Sequence, residues 1–137
     1  MRVGPPRGAT ATLEVTVTPA MAASVAGERI HPVYGTTAMI GHMEQVARSL
    51  LVPHLEAGEE GVGAGVDLMH RAPVPIGEDV VLTATVATVT SSKLVCEVIV
   101  RHGTTIVARG SVEQRVVTLD AFRAEVDARR TRPQATV

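Results

Sequence analysis

The chain of 137 residues has no tryptophan, one tyrosine (Tyr34), one phenylalanine (Phe122) and one cysteine (Cys96). Scarce aromatics remove the stacking platforms that hold single-stranded nucleic acid or sugar rings. A lone cysteine excludes an internal disulfide framework and a cysteine-rich zinc site. Neither sign of charge is in excess: 13 basic and 14 acidic residues leave a net −1. With no positive field to gather phosphates, general nucleic-acid binding is excluded as a function class. No apolar run approaches the roughly 18 residues that cross a bilayer, and the segment Met1–Gly8 lacks a signal peptide's apolar stretch. These absences lead to the expectation of a soluble cytoplasmic protein without a membrane partner. Lys93 is the only lysine, so basic charge is almost all arginine, a compositional habit more than a functional signal.

What is present is aliphatic. Residues of the hydrophobic class make up 45% of the chain, with valine and alanine dominant. The length fits one domain over residues 1–137, able to bury about two thirds of its surface. From Ala11 to Thr18, Leu13, Val15 and Val17 alternate with polar neighbours, as in a half-buried strand ended by Pro19. Ala20 to Glu28 is small and weakly helical, and His31–Gly35 reads as extended because Pro32 disfavours a helical His31. From Thr36 the period changes. Met39, Met43, Val46 and Leu50, with Ile40, Ala47 and Leu51 beside them, predict a helix over about residues 37–55. Thr36 or Thr37 would cap it, and Pro53 would kink its last turn.

Period two returns at Gly61. Val62, Ala64, Val66 and Leu68 form one predicted face, with His70 next on it. Strands are expected over Asp79–Thr90, Lys93–His102 and Thr105–Val117, the last two joined by a hairpin at His102-Gly103-Thr104. Leu119, Phe122 and Val126 are spaced for a short helix over about 119–130, and a frayed tail follows Arg132. Strands joined by hairpins make an antiparallel sheet, which the long helix must cover on one face. The class is therefore α+β.

Polar residues on apolar stripes are the informative ones, because a buried unpaired charge is costly. Glu44 sits on the stripe of Ile40, Ala47 and Leu51, either facing inward or at the stripe edge in water. His70 closes the Val62–Leu68 face, as a satisfied core histidine or as a reactive one. A carboxylate beside an imidazole in one apolar environment could orient the ring or activate water. Thr36 opens a Gly-Thr-Thr helix start, where a hydroxyl can cap the helix or where first-turn amides can hold an oxyanion. These parts together suit hydrolysis of an acyl compound. Gly61, Gly63 and Gly65 lack the spacing of a dinucleotide loop and mark a close approach by a helix, another chain or a ligand. Cys96 reads as an inert core residue and His42 as solvated. No histidine pair has the spacing of a strong metal site, so no metal is expected.

The run His31-Pro-Val-Tyr-Gly-Thr-Thr-Ala-Met-Ile-Gly-His-Met-Glu44, then Glu-Ala-Gly-Glu-Glu-Gly near residue 60, then His70 followed by Pro-Val-Pro-Ile-Gly77, resembles the fluoroacetyl-CoA thioesterase-like branch of the hotdog-fold thioesterases. The resemblance covers roughly residues 11–120. It implies a five-stranded antiparallel sheet wrapped around one long central helix. It also implies a homodimer, alone or as a dimer of dimers, in which the strand after the helix pairs across the two-fold axis and acyl-CoA sites lie at the interface. The family's catalytic threonine, glutamate and histidine match Thr36, Glu44 and His70. A glycine that positions the thioester matches Gly63, and Tyr34 becomes the one aromatic near the substrate. Fluoroacetyl-specific members carry phenylalanines in a lid before the helix, whereas Ala20–Tyr34 has none. The resemblance therefore implies thioester hydrolysis, without a cofactor, and leaves fluoroacetyl selectivity aside. The alternative is a hotdog module that binds acyl-CoA or an acyl carrier without cleaving it. Acyl-CoA hydratase chemistry is a third reading, with no added acid–base motif to carry it.

Overall fold

The computed structural model describes residues 1–132, so the expected tail lies outside the described residues. Strands β1 (Thr10–Thr16), β2 (Ala22–Val25) and β3 (Glu28–Tyr34) precede helix α1 (Thr36–Leu51). Then follow β4 (Glu59–His70), β5 (Asp79–Val89), β6 (Lys93–His102), β7 (Thr105–Thr118) and helix α2 (Leu119–Ala128). Five strands form one antiparallel sheet in the order β1-β5-β6-β7-β4, and β2 and β3 form a separate hairpin. Alternation sets the inner face: Val80, Leu82, Ala84 and Val86 of β5 and Leu94, Cys96, Val98 and Val100 of β6 are all buried. Against them α1 buries Met39, Met43, Val46, Ala47 and Leu51. Each such side chain contributes about 1.5–3 kcal/mol by leaving water if it is the size of leucine or methionine. Burial also pushes the Cys96 thiol up to about 11.

Three local expectations are revised. The weakly helical stretch Ala20–Glu28 is only a single 3-10 turn at Pro19–Met21 and then the β2–β3 hairpin. Its two turn residues, Ala26 and Gly27, both have positive φ (51° and 80°), the conformation that matches the twist of a two-residue hairpin. The long helix stops at Leu51, and Pro53 lies in a separate 3-10 turn at Val52–His54. Proline has no amide to continue the α-helical ladder.

The third revision matters most. Glu113 and Gln114 of β7 pair with Gly65 and Gly63, so Ala64 is an extra residue, a bulge in β4. A bulge reverses which residues face inward. Beyond it Val66, Leu68 and His70 share the inner face, as predicted. Before it Gly61 and Gly63, not Val62 and Ala64, oppose the inward-facing Val116 and Gln114. The small residues thus lie beneath α1. A β-carbon on Gly61 would stand 2.5 Å from Leu51 Cδ2 and one on Gly63 3.0 Å from Glu44 Oε2.

Tyr34 and His42 tie the end of β3 to α1. Tyr34 is fully buried, and its hydroxyl lies 2.5 Å from His42 Nδ1. His42, expected in solvent, is half-buried. The Tyr34 amide donates to the Val74 carbonyl at 2.8 Å, fixing the chain just before the helix.

Two outcomes follow. A β-carbon on Gly110 would collide with the backbone carbonyl of Asp67 in the neighbouring strand. Gly110→Ala should cost about 3 kcal/mol, at the upper end of overpacking effects, in chemical denaturation. Burial holds His42 below its ordinary value of 6.5. Below about that pH the unfolded chain takes up a proton that the folded chain resists, so this residue removes stability as pH falls and has no effect where both states are neutral. Between pH 7 and 5 the melting temperature of the wild-type chain should therefore fall more steeply than that of His42→Gln.

Candidate active site

The start of α1 is shaped by a steric constraint. Gly35 occupies the cap position, and no side chain caps the first turn. Gly35 is pressed against β2: an added β-carbon would stand 3.0 Å from Ala23 Cα and 3.1 Å from the Met21 carbonyl oxygen, which accepts the Gly35 amide at 2.8 Å. A serine or aspartate has no room there. First-turn amides have no acceptor within their own helix. Thr36, Thr37 and Ala38 line a cavity of about 620 Å³ under the β2–β3 hairpin, with Ala22, Ser24 and Ile30 among its other walls. The positive end of the helix dipole adds to the attraction for a developing negative charge.

Freed from capping, the Thr36 hydroxyl turns to β4. Its Oγ1 lies 3.0 Å from His70 Nδ1, and His70 Nε2 lies 3.0 Å from the Ala72 carbonyl oxygen. That carbonyl can only accept, so in the neutral ring Nε2 carries the hydrogen and Nδ1 accepts from Thr36. The imidazole is thereby held in the tautomer that can take a proton from the hydroxyl. The segment after it is anchored by the Arg71 amide donating to the Val107 carbonyl at 2.8 Å. Thr36 and His70 border a shallow cleft of about 320 Å³ together with His31, Tyr34 and Ala72.

Of the two places open to Glu44, inward beside His70 or at the stripe edge, the structure takes the second. Glu44 is exposed and forms no hydrogen bond or ion pair among the described residues. Eight residues separate it from Thr36, about 12 Å along the helix. Its carboxylate instead lies over Gly63, in a second cleft of about 310 Å³ shared with Arg48, Gly61 and Gln114. Arg48 is engaged elsewhere, donating to Glu60 Oε1 at 3.0 Å, and that hydrogen bond holds the Glu60 carboxyl below the usual range. One chain therefore brings Thr36 and His70 together, and separately Glu44 and Gly63. Tyr34 lies under the first pair as a buried support and offers no exposed ring to a ligand.

Two lining residues escaped the sequence reading. His31 on β3 borders both the large cavity and the Thr36 cleft. Gln114 is a polar residue at an inward position of β7, after Ala108, Gly110 and Val112. The stripe argument applied to Glu44 would have found it, had it been applied to that strand.

The family model of the fluoroacetyl-CoA-specific thioesterases (FlK) matches residues 17–120. The fluoroacetyl-CoA thioesterase of Streptantibioticus cattleyicolor is 32% identical over 94 residues, which is 69% of this chain and 68% of the relative. Among solved structures, a hypothetical protein of Thermus thermophilus described as a thioesterase superfamily member superposes with a TM-score of 0.88 at 30% identity, covering 93% of this chain and 94% of the other. The fluoroacetyl-CoA thioesterase FlK itself superposes with a TM-score of 0.82 at 27% identity, covering 93% and 99%. With its helix packed on a five-stranded antiparallel sheet, the chain has the hotdog fold and belongs to the FlK family of thioesterases, enzymes that hydrolyse thioesters.

Proposed function

We propose that this thioesterase hydrolyses an acyl-CoA to the free acid and CoA, with Thr36 as nucleophile, His70 as its base and Glu44 as the group that activates water. The observation that carries the reading is the Thr36–His70 hydrogen bond, with the imidazole oriented by the Ala72 carbonyl. A nucleophile bonded to a base that a third group orients is the pattern of activated hydroxyls in general. As Thr36 Oγ1 adds to the thioester carbonyl carbon, its proton passes to His70 Nδ1. The oxyanion is met by the uncapped amides of α1. The carbon–sulfur bond then breaks, and the departing thiolate takes the proton from His70. The acyl group occupies the cavity under the β2–β3 hairpin. Its mostly small and aliphatic walls, with no phenylalanine, tyrosine or tryptophan among them, suit an aliphatic acyl chain. A cytoplasmic setting suits an acyl-CoA substrate.

Glu44 enters through a homodimer. Strand β4 is the outer strand of its sheet and is exposed from Gly63 to Asp67, with Val66 at 45%. Antiparallel pairing of two copies about the middle of that stretch reverses the strand. The His70 end of one copy then lies beside the Gly61–Gly63 end of the other. Thr36 and His70 of one chain would share a substrate with Glu44 and Gly63 of its mate, which removes the difficulty of about 12 Å of helix between them.

Release of free thiol from a panel of short, branched and aryl acyl-CoAs tests the reading. Thr36→Ala, His70→Ala and Glu44→Ala should each keep the fold and lower turnover by about 10²–10⁴. Full thiol release by all three would overturn it, and saturable binding without thiol release by the wild-type chain would replace it with a binding module. The shared site has its own test. Subunit exchange between Thr36→Ala and Glu44→Ala should restore about a quarter of wild-type activity, because half the dimers are mixed and each carries one intact site. A mixture as inactive as its components would place Glu44 in the same chain's site or outside it.

A further inference from the structure

Gln114 is the one polar side chain in the core among the described residues, at 6% exposure, and its Nε2 meets no acceptor. A buried amide donor left unpaired costs about 1–3 kcal/mol, whereas an apolar side chain of the same shape would cost nothing there. Its neighbours on the inner face of β7, Ala108 and Val112, are plainly apolar. Packing alone gives no reason for an amide at this place.

Its position supplies one. Gln114 stands in register opposite Gly63, where the neighbouring strand has no side chain and the bulge at Ala64 follows at once. The carboxamide thus borders the cleft of about 310 Å³ that also holds Glu44. The Glu44 carboxylate lies over Gly63 and the Gln114 carboxamide beside Gly61, so helix and sheet each bring a polar group to the same pair of glycines. The other charged residue lining the cleft, Arg48, is already paired with Glu60. A carboxylate without a donor and an amide without an acceptor therefore remain among the residues that line one small cleft. A water occupies about 30 Å³ and needs two to four polar partners, and this cleft offers both.

We propose that Gln114 is a positioning residue that, with Glu44, holds the hydrolytic water. The proposal rests on the reading of Glu44 as the water-activating carboxylate. Gln114 Nε2 donates to the water oxygen, and the water donates to Glu44. When the oxygen adds to the carbonyl carbon of the acyl–Thr36 ester, the water proton passes to Glu44. The bond from that carbon to Thr36 Oγ1 breaks, Glu44 returns the proton to the Thr36 oxygen, and the acid departs. Misplacing a reacting group by about 1 Å can cost a hundredfold in rate.

Gln114→Met replaces the amide by an apolar side chain of similar length. The melting temperature should stay or rise, because the orphaned donor is gone. Turnover should fall roughly ten- to a hundredfold, with KM falling in parallel and kcat/KM nearly unchanged, because only breakdown of the acyl–Thr36 ester is slowed. In the Glu44→Ala background the same change should have almost no further effect, since both residues serve one water. Gln114→Asn, a second variant with a shorter amide, should recover part of the lost turnover. Unchanged kcat in Gln114→Met alongside an inactive Glu44→Ala overturns the role of Gln114 and leaves the thioesterase site standing. An active Glu44→Ala overturns both. Equal losses from Gln114→Met in the two backgrounds would mean that Gln114 acts only through packing, and would also overturn the proposal.

Discussion

The site depends on how closely α1 can approach the β4 edge of the sheet. A helix lying on a sheet normally stands off by the length of the side chains between them. Here the bulge at Ala64 turns Gly61 and Gly63 inward, so that Leu51 and Glu44 pack on bare backbone. At the other end of the helix Gly35 does the same against Ala23. These contacts seat the helix at both ends. They leave the first-turn amides uncapped, set Thr36 against His70, and border the cleft that Glu44 and Gln114 both line. Bulk at any of these positions would lift the helix and separate groups whose chemistry depends on contact.

Much of this could be read from the residues because burial imposes a period. The stripe of methionine, valine and leucine on α1, the alternation in β5 and β6, and the placement of His70 on an inner face all follow from which side chains leave water. The hydroxyl at position 36 was also legible, as one of two alternatives. What set capping aside was the crowding of Gly35, which holds the cap position, by a strand that the sequence did not announce. The β2–β3 hairpin turns on Ala26 with φ of 51°, and alanine is not a residue that signals such a turn.

The bulge was illegible for a related reason. Counting by twos assumes an unbroken register, and an inserted residue shows only against the partner strand. Val62 and Ala64 look like an inner face until their pairing with β7 is known. For Glu44 the residues left two places open. It lies on the edge of an apolar stripe, and how wide a helix face is covered depends on the sheet beneath it and not on the helix. His42 was assigned to solvent because its buried partner, Tyr34, precedes the helix and cannot be placed by helical spacing.

Cys96 carries a practical consequence. It is the one sulfhydryl in the chain, it is fully enclosed between sheet and helix, and burial keeps it protonated far above neutral pH. Thiolate is the form that reacts with disulfides and alkylating reagents. The folded enzyme is therefore spectroscopically silent towards the reagents that count the thiol released by thioester hydrolysis. Any signal above the product curve would report on unfolding, so a single vessel can follow turnover and the integrity of the protein together.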